Sequence, residues 1–123
     1  RDAVLANSLI NECAAIKLIN LCGKYTMRES MALISVCQFA LASDSGLGHI
    51  SAGLGIPTIS FFGAGDSEMT KPIGKRTFVI NKDVYCSPCR KNVCMNTNDH
   101  LYCFNEILQI DVKDAIQSLN LNP

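Results

Sequence analysis

The chain has 123 residues, 48% of them hydrophobic and 18% charged, with 11 Lys plus Arg set against 11 Asp plus Glu. That length suits one domain, 1–123, with a real core, and the composition is globular rather than disordered. No segment has the unbroken apolar length of a membrane span, and the balanced charge offers no global field for nucleic acid or an anionic membrane, so any anion must be held locally. Because it begins at Arg1 with no leader pattern and enters helical patterning at once, the sequence reads as a piece cut from something longer.

Apolar residues at Val4, Leu5, Leu9, Ile10 and Cys13 recur at helical spacing and predict a helix from Asp2 to Ala14. Ile16 to Leu21 is short, apolar and closed by Cys22-Gly23, which suits a buried strand. Thr26-Met27-Arg28-Glu29 matches the capping box, in which the hydroxyl caps one orphan amide and the Glu reaches back to another, so a helix should run from about Met27 to Cys37. Phe39 to Ser43 reads as a second strand, residues 47 to 54 as a short helix stopped by Gly55 and Pro57, and Thr58 to Phe62 as a third strand. The stretch from 63 to 76 is a long polar loop, and Phe78-Val79-Ile80 adds a last short strand. Val112, Ala115, Ile116 and Leu119 then fall at i, i+3, i+4 and i+7 behind Asp111 as the expected cap. Short strands apolar on both faces, alternating with helices, predict an α/β fold: a Rossmann-like open parallel sheet with helices on both faces.

Seven cysteines are an odd number, and Cys13, Cys22 and Cys37 sit inside apolar patterns, so they are expected to be small core residues in a reducing compartment. The other four form Cys86-x2-Cys89-x4-Cys94-x8-Cys103 in a polar Cys-rich segment, 86–103, with no obvious core to fill. Four thiolates in tetrahedral reach would suit a structural zinc, with His100 able to replace one ligand; free thiols and oxidised pairs are the alternatives. Four ligands would leave no open position for a substrate, so such a metal would have no part in catalysis.

The turn Asp44-Ser45-Gly46 follows the Phe39 strand, at the carboxyl end where open α/β sheets bind ligands and where the next helix presents free amides. Gly46 permits close backbone approach to a phosphate and Ser45 adds a hydroxyl. A carboxylate would repel a phosphate, so Asp44 suits the hydroxyls of a sugar, and the two together suggest a nucleotide sugar. The competing reading makes Asp44 or Ser45 a simple helix cap and His49 a satisfied core imidazole.

The run LISVCQFALASDSGLGHISAGLGIPTISFFGAGD, followed by KP and YCSPCRKNVC with a further Cys, resembles glycosyltransferase family 9, the lipopolysaccharide heptosyltransferases, over about residues 18 to 108. Their pattern is an Asp-Thr/Ser-Gly-x-x-His turn, an Ala-Ala-x-Gly-x-Pro helix exit and a strand ending in Phe/Tyr-Gly. The resemblance implies the C-terminal, donor-binding half of a GT-B fold and inverting transfer of heptose from ADP-heptose to a lipid A and inner-core acceptor, with no metal required. It implies that the Ser45 and Gly46 amides hold the pyrophosphate, that Asp44 binds heptose hydroxyls with His49 nearby, and that Tyr25 lines the adenine pocket. The general base is then expected in an N-terminal domain and a phosphate-binding Lys upstream of Arg1, so no catalytic residue is expected in this chain. A cytoplasmic protein, peripheral at the inner face of the bacterial inner membrane, follows from the same resemblance. Two alternatives stay open: a GT-B-like UDP-sugar epimerase or other nucleotide-sugar transferase, and a zinc-stapled binding module without enzymatic activity.

Overall fold

Helical periodicity at the start of the chain is realised as α1, Asp2–Glu12. The computed structural model describes residues 2–121, and contacts divide the chain into two compact units, one up to Leu33 and one from Ile34, where the sequence reads as one domain.

The first unit holds α1 and most of α2, Met27–Ser35. The capping box forms as its spacing predicts: the Glu29 amide donates to Thr26 Oγ1 at 3.3 Å while the Thr26 amide donates to Glu29 Oε2 at 2.8 Å. The Thr26 amide, and after it the Thr26 hydroxyl that donates to the same Glu29 oxygen at 2.8 Å, hold the Glu29 carboxyl below its usual pKa. The strand expected at Ile16 to Leu21 does not form, and Ile16 is 64% exposed. A strand needs a neighbour for its backbone groups, and among the described residues the sheet consists of β1, β2 and β3, without this segment. Asn20 orders it instead, donating to Asn7 Oδ1 at 2.8 Å and to the Ala3 carbonyl at 3.1 Å, while its Oδ1 accepts from the Cys22 amide. No described residue of this unit is buried, so the core expected around the early cysteines is missing: Cys13 is half-buried, Cys22 exposed, and Cys37, just past α2, also exposed.

The second unit carries the sheet. β1 (Ala40–Ser43), β2 (Thr58–Phe62) and β3 (Thr77–Asn81) are all parallel, with Ala40 opposite Thr58 and Thr58 opposite Thr77. Parallel neighbours need crossovers. Between β1 and β2 the crossover is α3, Gly46–Gly53, and between β2 and β3 it is the polar stretch, which is not wholly loop but contains α4, Ser67–Thr70, capped by Asp66. Alternation along β2 sorts its residues. Ile59 and Phe61 pack with Phe78, Ile80 and with Ala115, Val112 and Ile116 of α6, Gln109–Ser118. Thr58 faces the other way and its Oγ1 bonds Ser51 Oγ of α3 at 2.9 Å, so α3 and α6 cover opposite faces. The expected α/β sheet with helices on both faces is therefore present.

Asp111 is not the cap of α6. Leu108 holds that position, and Asp111, three residues on, accepts from the Leu108 amide at 2.7 Å with one oxygen and from Lys82 Nζ at 2.6 Å with the other. A carboxylate in the first turn answers the exposed amides from inside the helix as well as a cap does from outside it. The Cys-rich segment leads into the short helix α5, Tyr102–Asn105. Among the described residues no helix is long and apolar enough to cross a membrane.

Candidate functional site

β1 ends at Ser43 and α3 begins at Gly46, so Asp44 and Ser45 are the whole connection. Ser45 is the N-cap residue, extended at φ −155° and ψ 160°, but its hydroxyl makes no capping hydrogen bond. The helix-cap reading of its side chain is thereby not realised. The opening amides of a helix have no partner within it, so the start of α3 presents donors and a positive dipole end at the carboxyl edge of the sheet, with the Ser45 hydroxyl beside them. Two residues into the helix, Gly48 is buried: a Cβ there would lie 3.1 Å from the Ala42 Cβ and 3.5 Å from Pro72. A side chain there would be tight against β1, so the glycine lets α3 seat closely on the strand at the end where its N-terminus opens.

His49 is exposed on α3, so it is not the satisfied core imidazole of the competing reading. Asp44 is exposed as well. The structure thus brings together Asp44, Ser45, Gly46 and His49 at one strand-to-helix junction. Tyr25 belongs to the first unit and is 46% exposed.

One neighbour of this turn was missed from the sequence. The loop after β2 runs Gly63-Ala64-Gly65, and the space that a side chain on Gly65 would enter is filled by the Asp44 carboxylate. The signal available was a pair of glycines directly behind a strand, next to the strand that leads into Asp44.

The four clustered cysteines line a single cavity of about 620 Å³, together with Tyr85 and Tyr102. None is in a disulfide. Burial, followed by the nearby Cys86 and Cys89, pushes the Cys103 thiol above its ordinary pKa. The sulfurs are neighbours without meeting: among the described residues no three His, Cys, Asp or Glu side chains are placed to hold a metal ion. Two of the thiols accept from protein donors, the Leu101 amide reaching Cys94 Sγ at 3.3 Å and the Asn96 amide group reaching Cys86 Sγ at 3.6 Å. At Cys86, Cys89, Cys94 and Cys103, where the spacing suggests zinc, the structure shows four free thiols around one cavity. Asp44, Ser45, Gly46 and His49 do not line the cavity.

Comparison with known proteins places this geometry in a family. The model for glycosyltransferase family 9 (heptosyltransferase) matches residues 1–100. The chain is 34% identical over 94 residues to lipopolysaccharide heptosyltransferase 1 of Pseudomonas aeruginosa, covering 76% of this chain and 24% of that protein. It is 29% identical over 106 residues to lipooligosaccharide heptosyltransferase 2 of Campylobacter jejuni, covering 85% of this chain and 33% of the relative. The solved structure of E. coli ADP-heptose lps heptosyltransferase II superposes with a TM-score of 0.64 at 22% identity, over 95% of this chain and 39% of that one, which establishes a shared fold, that of one part of a GT-B enzyme. The chain spans a third or less of the length of these two curated relatives. With the family model covering most of its residues, the chain belongs to glycosyltransferase family 9, the heptosyltransferases.

Proposed function

We propose that this chain binds the nucleotide-sugar donor in a protein that moves heptose from ADP-heptose onto a lipopolysaccharide inner-core acceptor, with inversion at the anomeric carbon. The observation that carries the reading is the start of α3: a Ser45 hydroxyl spent on no cap, free helix amides at Gly46, and an exposed Asp44 beside them at the carboxyl end of a parallel strand.

In that reading the Ser45 and Gly46 amides receive the donor pyrophosphate. As the glycosidic bond breaks, negative charge builds on the departing ADP, and preoriented amides at a helix N-terminus stabilise that charge as it develops. Asp44 accepts hydrogen bonds from heptose hydroxyls, a task its charge suits and phosphate binding does not. His49 stands one turn into α3 and is exposed. The carboxylate that would deprotonate the acceptor hydroxyl is assigned to another part of the protein, since this chain supplies the leaving-group half of the arrangement. The lipid-linked acceptor puts the whole protein at the cytoplasmic face of the inner membrane.

An amide-resolved NMR titration with ADP, UDP and GDP in parallel tests the reading. Shifts at Ser45 and Gly46 selective for ADP are expected. Selective shifts with UDP would overturn the ADP-heptose assignment in favour of another sugar class, and silence at both amides with all three nucleotides would reduce the turn to a structural junction.

A further inference from the structure

Adding a Cβ to Gly65 places it on top of Asp44 Oδ2 and 3.5 Å from the Phe62 ring. No left-handed backbone angle demands glycine there, since the positive-φ glycines of the chain are Gly23 and Gly55. What glycine provides at 65 is therefore space, and the group using the space is the Asp44 carboxylate.

A collision at this point is relieved either by the loop or by the aspartate. The loop is pinned. Ser87 Oγ donates to the Gly63 carbonyl at 2.5 Å, the Arg90 amide donates to the Ala64 carbonyl at 2.7 Å, and the Arg90 guanidinium pairs with Asp66 immediately after the loop. Gly63 itself is buried and backed by Cys103 Sγ and the Phe104 ring, which leaves no retreat toward the Cys-rich segment. Asp44, by contrast, is exposed, and its carboxylate is the far end of a rotatable side chain. The carboxylate is the part that yields.

We infer that Gly65 is a positioning residue for sugar recognition: its missing side chain is the seat that fixes the direction of the Asp44 carboxylate, and the segment 87–90 holds that seat in place. The inference rests on the proposed role of Asp44 toward the donor sugar. It separates two parts of one ligand, because the pyrophosphate is assigned to the Ser45 and Gly46 amides and the sugar hydroxyls to Asp44. A side chain at 65 should therefore spoil recognition of the sugar while sparing the nucleotide.

The experiment is calorimetric titration of the full-length protein and its Gly65→Ala variant with ADP-heptose and, separately, with ADP. Loss of a hydrogen bond to a charged group predicts about tenfold weaker binding of ADP-heptose, with ADP affinity unchanged within about twofold. Gly53→Ala, where an added Cβ meets nothing within 4 Å, serves as the control and should bind both ligands as the unaltered protein does. In an Asp44→Ala background, Gly65→Ala should have no further effect, since a residue acting only through Asp44 has nothing left to act on. Equal loss of both ligands in Gly65→Ala, or an undiminished effect without Asp44, overturns the inference. Independently of any variant, the Gly65 amide of the unaltered protein should shift with ADP-heptose and stay still with ADP; a resonance that ignores the sugar also overturns it. Should the unaltered protein fail to prefer ADP-heptose to ADP, the donor-site reading itself falls, a result distinct from a preference that survives Gly65→Ala.

Discussion

Ile59 and Leu9 both belong to apolar patterns in the sequence, yet Ile59 is fully buried and Leu9 is 56% exposed. The difference lies in what surrounds them. β2 has a strand on each side and a helix on each face, whereas α1 belongs to a unit in which no described residue is buried. An apolar pattern states what a segment needs to bury, and only its neighbours decide whether it is buried. The sharpest test is truncation at both places. Ile59→Ala should destabilise the second unit by about 2–5 kcal/mol in denaturant titrations, and Leu9→Ala should change stability by less than about 0.5 kcal/mol. Equal losses would mean that α1 buries its apolar face after all.

Helix starts give a second, smaller contrast. Thr26 and Ser45 both stand at N-caps, but Thr26 makes its capping bonds and Ser45 makes none. Thr26→Ala should cost about 1 kcal/mol, read by helix content and melting. Ser45→Ala should leave stability almost unchanged, and under the donor-site reading its effect appears in nucleotide affinity. A destabilised Ser45→Ala with normal ADP binding would make the turn a cap and nothing more.

How much of this was legible follows from how local each cause is. The Thr26–Glu29 box and the helix between Asp44 and Gly55 rest on interactions within a few residues, and both stand where the sequence puts them, while β2 keeps its expected bounds at Thr58–Phe62 because β1 and β3 flank it. Ile16 to Leu21 has the composition of a buried strand, but strandhood is a property of a pair, and among the described residues it is paired with no strand. The same holds for the site. Asp44, Ser45 and Gly46 are adjacent, so their grouping could be read directly. The seat for Asp44 at Gly65 lies on the next strand's loop and is pinned by Ser87 and Arg90, more than twenty residues further on, so only the fold brings it into view. The four thiols show the opposite failure. Their spacing permits a metal site, but whether four sulfurs converge depends on the fold around them, and among the described residues no three His, Cys, Asp or Glu side chains are placed to hold a metal ion. Chelation with EDTA should accordingly leave the melting temperature unchanged, and a fall would restore the four-thiolate site that the spacing suggests.

The smallest expected effect concerns pH, and it sharpens the same contrast within the second unit. Asp66 is held below its ordinary pKa chiefly by the hydrogen bond from Arg90, and Asp111 chiefly by that from Lys82, reinforced by the Leu108 amide. Each group binds its proton less readily folded than unfolded. The stability they provide is thus present above the unfolded carboxylate pKa, near 4, and is lost as pH falls through the lower folded values. Both pairs are partly open to solvent, so their effect is modest and screened by salt. They differ in what they tie down. Lys82 and Asp111 join the residue just after β3 to α6, the helix that covers the core, so Lys82→Met should flatten the acid limb of the melting curve for the whole second unit. Arg90 and Asp66 join the Cys-rich segment to the loop beside Asp44, so Arg90→Met should leave that curve almost intact and instead speed hydrogen exchange at Ala64, Gly65 and Asp66. A shift of the global melting curve by Arg90→Met equal to that of Lys82→Met would show that the loop and the core unfold as one.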